Sequence, residues 1–100
     1  MNKVFVVQDT DRNITPAKEY GELRVMLTYG DISKGYSHVL DKLKRMMATV
    51  TKDDYLVCIG DPIAIGLAVH VALTFTNGQI NILKWDRERW EYKKSELRTI

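Results

Sequence analysis

Residues 55–78 decide the fold. They run Tyr55-Leu56-Val57-Cys58-Ile59-Gly60-Asp61-Pro62, then Ile63-Ala64-Ile65-Gly66-Leu67-Ala68-Val69-His70-Val71-Ala72-Leu73-Thr74-Phe75-Thr76-Asn77-Gly78. Five consecutive apolar residues between Asp54 and Gly60 fit a strand covered on both faces, because a half-exposed strand alternates apolar with polar. Asp61 has the short acceptor side chain of a helix N-cap. Pro62 suits the first helical position, where its missing N–H costs nothing. Residues 63–76 carry no charged side chain, and Asn77-Gly78 tolerate the left-handed backbone that ends a helix. One face of this helix would hold Ile63, Leu67, Val71 and Leu73 or Thr74, and the opposite face Ile65, Val69, Ala72 and Phe75. A helix apolar all round is normally a buried helix. A chain of 100 residues leaves one of these faces toward water, and a second copy of the chain is the simplest cover for it.

On the N-terminal side, residues 4–7 form a short apolar strand and residues 8–13 a polar turn. Thr15-Pro16 caps one helical turn that stops at Gly21. Residues 23–29 make a second strand, broken only by Arg24, and residues 30–35 a loop. Ser33 or Ser37 then caps an amphipathic helix reaching Val50. Its apolar positions, Tyr36, Val39, Leu40, Leu43, Met46, Met47 and Val50, recur three and four apart. On the C-terminal side, residues 79–85 read as a fourth strand, 86–89 as a turn, and 90–94 as an antiparallel return that residues 95–100 extend. Strands alternating with helices imply parallel pairing with layers on both faces. The expectation is one α/β domain over residues 1–100: a small three-layer, Rossmann-like sandwich. Its mostly parallel sheet has order 2-1-3-4, with the last strand antiparallel at the edge beside strand four. The first crossover is the weak point, having one helical turn at most.

Apolar content of 45% and charged content of 28% are those of an ordinary globule. A net charge of +2 is too small to imply a nucleic-acid or membrane partner. The single cysteine, Cys58, excludes an internal disulfide and fits a reducing compartment. The N-terminus runs directly into a strand with no secretory pattern, which predicts a cytoplasmic protein. The longest uncharged run, residues 62–83, includes Thr74, Thr76, Asn77, Gln79 and Asn81 and so predicts helix, turn and strand rather than a membrane span.

In such sheets ligands bind beyond the carboxyl ends of the strands, where strand order reverses. Asp9, Asp31, Asp61 and Asp86 each follow a predicted strand, Asp11 adds a fifth carboxylate, and Gly60 sits beside the crevice. Such a rim could hold Mg²⁺. The plainer reading is that aspartate starts turns and caps helices at each of these positions. Asp9-Thr10-Asp11 and Gly60-Asp61 are similar to the first and last acidic motifs of haloacid-dehalogenase-type phosphatases. Asn13 departs from that pattern, and no acid follows Asp61 four residues on. A phosphate loop around residues 60–66 would lack Gly-Lys-Ser/Thr, and Asp61 would repel the anion. Gly66 is read as allowing close helix–sheet packing, His38 as solvated and His70 as a core or interface residue. No cofactor and no metal-ligand set is indicated. The C-terminal hairpin combines Trp85, Trp90 and Tyr92 with Arg87 and neighbouring cations, but Asp86, Glu88 and Glu91 interleave. That mixed field disfavours nucleic acid and suits a protein interface.

A family likeness rests on short motifs spread along the chain. They are Val6-Val7-Gln8, Pro16-Ala17 with Tyr20-Gly21, Asp54-Tyr55-Leu56 leading to Gly60-Asp61-Pro62, and Ile82-Leu83-Lys84-Trp85-Asp86-Arg87 followed by Trp90 or Tyr92. This arrangement resembles a group of short accessory proteins of tailed bacteriophages. The resemblance implies a protein made in the cytoplasm of the infected bacterium, and it carries over no catalytic residues. The leading expectation is a non-enzymatic binding protein, a homodimer with a host or phage protein as target. Its interface candidates are Ile65, Leu67, Val69, Ala72, Phe75, Trp85, Arg87, Trp90 and Tyr92. The alternatives are a nucleotide or phosphate-ligand binder near Gly60 and a metal-dependent phosphoryl-transfer enzyme on the aspartate rim.

Overall fold

The structure, a computed structural model, describes residues 2–100. Five strands, β1 (Lys3–Gln8), β2 (Glu22–Leu27), β3 (Tyr55–Val57), β4 (Gln79–Asp86) and β5 (Glu91–Arg98), form one sheet of order β2-β1-β3-β4-β5. The first four are parallel, and β5 pairs antiparallel with β4. This is the α/β architecture expected, with the last strand at the edge beside β4.

The order places the helices. The chain moves from β1 to β2 in one direction, then from β2 across β1 to β3 and on to β4 in the other. Right-handed crossovers therefore put the first connection on one face and the later ones on the opposite face. The first connection is a 3₁₀ helix (Thr15–Tyr20), and the others carry α1 (Tyr29–Ser33), α2 (Tyr36–Met46) and α3 (Pro62–Phe75). Alternation along β1 feeds both sides. Phe5 and Val7 join Leu43, Leu56 and Ala68 under α2 and α3, while Val4 and Val6 join Ala17, Val57 and Leu83 under the 3₁₀ helix. The third layer is thin, as a 3₁₀ helix of six residues must make it.

Local chemistry explains the departures from the expected boundaries. Residues 29–33 form a helical turn that takes Tyr29 from the end of the expected strand and the rest from the expected loop. Thr28 Oγ1 accepts from the Asp31 backbone N–H and the Asp31 carboxylate accepts from the Thr28 N–H, a reciprocal capping box. Gly35, at φ +98°, precedes α2, so neither Ser33 nor Ser37 caps it. The third strand is three residues long because the chain turns early, with Ile59 N–H donating back to the Val57 carbonyl. At the amino ends of the strands Asp54 is buried. Its carboxylate accepts from the Lys3 and Thr51 backbone N–H groups, both at 2.8 Å, and faces the Lys3 ammonium at 3.3 Å.

Helix α3 is oriented by side-chain size. Its fully buried stripe is Ala64, Ala68, Val71 and Ala72, spaced four, three and one. Small side chains beneath the axis let the helix lie close to the sheet, while Ile65, Val69 and Leu67 cover the gap from the flanks. Val71 and Ala72, expected on opposite faces, therefore belong to one inward stripe. Gly66 faces away from the sheet, with no atom within 4 Å of where a Cβ would sit. It plays no part in helix–sheet packing.

Candidate functional site

Two features of the surface stand apart: a cleft at the carboxyl ends of β1 and β3, and the outer side of α3. The cleft encloses about 540 Å³ and lies at the strand-order reversal. The segment after β1 supplies Gln8, Thr10, Asp11 and Arg12, the segment after β3 supplies Cys58 to Asp61, and Tyr29, Ile32 and Ile65 close the sides.

Gln8 anchors its floor. Val4, Val6 and Gln8 share one face of β1, so the side chain of Gln8 is carried inside and is 2% exposed. Its Oε1 accepts from the Asp61 backbone N–H at 2.8 Å. Gly60, at φ +117°, makes that approach feasible, because a Cβ there would stand 2.5 Å from Gln8 Cβ. Asp61 caps α3 as expected, its Oδ2 accepting from the Ile63 and Ala64 N–H groups at 3.1 and 3.0 Å. Tyr36 donates its hydroxyl to the same carboxylate at 3.1 Å, which raises the Tyr36 pKa. Burial pushes the Cys58 thiol up, so it remains protonated at neutral pH and is a poor nucleophile.

Of the residues expected on a ligand rim, Asp11, Gly60 and Asp61 line the cleft, and Asp9, Asp31 and Asp86 do not. Asp31 is turned into the α1–α2 corner, where His38 Nε2 lies 2.8 Å from its Oδ1 and Lys42 Nζ 2.7 Å from its Oδ2. Those two partners and the Thr28 N–H hold its carboxyl well below the ordinary carboxylate range. His38, expected in solvent, is half-buried by this pairing. Asp86 accepts from the Glu88 and Arg89 N–H groups and shapes the β4–β5 turn. The Asp31 carboxylate thus serves a helix start and that of Asp86 a turn, while Asp9 is exposed. Among the described residues no three His, Cys, Asp or Glu side chains come close enough to hold a metal ion.

The outer side of α3 carries Ile63, Leu67 and Thr74 along one flank and Ile65, Val69 and Leu73 along the other, with Gly66 and His70 outermost. Ile63 is 55% and Phe75 42% exposed. Ile63 was absent from the expected interface; the alanine spacing that turns it outward was the available signal. Ala72 lies inside the core and Tyr92 is buried, so both support the surface from beneath. On the hairpin, Trp85 packs edge-on against Tyr92 and Trp90, with centroids 5.0 and 6.2 Å apart. Tyr20 donates its hydroxyl to the Tyr92 carbonyl, tying the hairpin to the 3₁₀ helix. Trp85 and Tyr92 thus extend the thin third layer, and Trp90 and Arg87 remain exposed at its end.

A model of the family described as phage Pam3 gp32-like protein matches residues 2–99. No curated protein and no solved structure matches the chain.

Proposed function

Since the chain belongs to the phage Pam3 gp32-like protein family, we propose that it is an accessory protein that acts by binding rather than catalysis, and that it pairs with a second copy of itself through the outer side of α3. The observation that supports this reading is the orientation of that helix. Its small residues face inward, its large ones stand half-buried on the flanks with Ile63 exposed, and no charged side chain occurs from residue 62 to residue 83. A twofold contact sets each residue near its own copy, so a charge on the axis would meet its like. An uncharged helix face avoids that cost. Gly66, open on the outermost line, permits close approach of two backbones.

Magnitude limits the claim. Fourteen residues of helix present a strip roughly 21 Å long and on the order of 200–300 Å² in area. Stable interfaces bury about 800 Å² per partner. The strip alone falls well short of that, so a stable pair buries surface beside the helix as well. The setting we infer, from the phage family, is the cytoplasm of the infected bacterium. Among the described residues no helix is long and apolar enough to cross a membrane.

Two copies bearing different tags, co-expressed, test the proposal. They should co-purify as wild type, and Ile63→Glu in both, at an exposed position, should abolish the association while leaving each copy folded. Copies that never co-purify at micromolar concentration contradict it.

A further inference from the structure

We infer that the cleft between β1 and β3 is a binding site for a small carboxylate with an apolar body, its acceptor oxygens held by the Gln8 amide and the Arg12 guanidinium. The amide of Gln8 carries this. Its oxygen is committed to the Asp61 N–H, which fixes the orientation of the group and directs its nitrogen the other way. Among the described residues that nitrogen has no acceptor, yet no sealed side-chain N or O atom lacks a partner. The NH₂ therefore keeps some access to the outside, and the cleft is the opening that Gln8 lines. A buried side chain that exposes donors alone selects for an acceptor.

Arg12 supplies the cation, facing the Asp11 and Asp61 carboxylates of the same lining. It lines the same cleft and has no carboxylate within ion-pair distance among the described residues. Ile32, Ile59 and Ile65 supply an apolar wall, and 540 Å³ is the size of a small-molecule site. A phosphate is the poorer match. The first N–H groups of α3 are already taken by Asp61, and the Asp11 and Asp61 carboxylates in the lining oppose the second negative charge of a phosphate more than the single charge of a carboxylate, which Arg12 balances. The site shares only Ile65 with the outer side of α3, and its Gln8 and Arg12 donors do not depend on self-association.

Benzoate is the probe, titrated into ¹⁵N-labelled full-length protein at millimolar concentration. The Gln8 side-chain NH₂ signals and the Gly60 and Asp61 amides should shift and saturate. Gln8→Glu keeps an oxygen for the Asp61 N–H and replaces the donor with a second acceptor; it should remove the saturable shifts. Arg12→Ala, at an exposed position, should weaken binding several-fold and covers the case in which the first variant misfolds. Inorganic phosphate should leave the same signals in place. Unsaturable shifts, equal titration of wild type and both variants, or phosphate shifts matching those of benzoate would each overturn the assignment.

Discussion

The Asp31 carboxylate lies 2.7 Å from the Lys42 ammonium and 2.8 Å from His38 Nε2, joining the start of α1 to two successive turns of α2. Asp31 is 6% exposed, so the contacts are largely shielded from water. The carboxyl has an ordinary value of 3.8 and is lowered in the fold, chiefly by His38 and then Lys42. A lowered acid contributes stability that is present above its unfolded value and lost as pH falls toward its folded one. Asp31→Asn should therefore destabilise by about 1–3 kcal/mol at neutral pH. The gap should narrow below about pH 4. Urea unfolding of both proteins at neutral and acidic pH checks this, and a gap constant with pH would contradict it.

Gly60→Ala should destabilise by about 1–3 kcal/mol. Two costs combine: the φ of +117° disfavours a side chain, and the new Cβ collides with Gln8. The same change should move the Gln8 side-chain NH₂ signals in the ¹⁵N spectrum. Unaltered stability and an unmoved Gln8 would show that the loop relaxes freely.

Gly66→Ala should act in the opposite direction. The site is helical, exposed and open around the missing Cβ. Alanine there should raise the stability of the dilute protein by roughly 0.5–1 kcal/mol, through helix propensity and the unfolded chain. A lower melting temperature under dilute conditions would mean that Gly66 already touches something.

Magnesium should leave the melting temperature unchanged at millimolar concentration, because a ligand stabilises only by binding the folded state. The Asp9 and Asp11 carboxylates are exposed, and Asp31, Asp61 and Asp86 are committed to capping or turn contacts. A rise that disappears in Asp11→Asn would reinstate a cation site on the rim.

Much of the fold could be read from the residues. Short apolar runs separated by caps and glycines fixed the strands, and crossover handedness then allowed the order found. Asp61-Pro62 forms the helix start its chemistry predicts. The motifs from Pro16-Ala17 to Trp85-Asp86-Arg87 pointed to phage proteins, and the family match over residues 2–99 agrees. The rotation of α3 was not legible from hydropathy, because a helix apolar on every side gives no phase. Only the alanine spacing at 64, 68 and 72 encodes it. The first helical turn after β2 was hidden by Gly30, Lys34 and Gly35, which resemble a loop until Thr28 and Asp31 are paired. The carboxylates at the strand ends were ambiguous for a physical reason: a cap and a ligand call for the same short acceptor. Gln8 passed as a turn residue, although its register with Val4 and Val6 places it inside.

Sedimentation velocity across concentrations up to tens of micromolar tests self-association through α3 most directly. The wild type should shift toward a species of twice the 11.6 kDa chain mass as concentration rises. Ile63→Glu and His70→Glu, both at exposed positions, should stay monomeric and folded throughout. A wild type that remains a folded monomer contradicts the self-pairing, and a dimer untouched by either charge places the contact away from this helix.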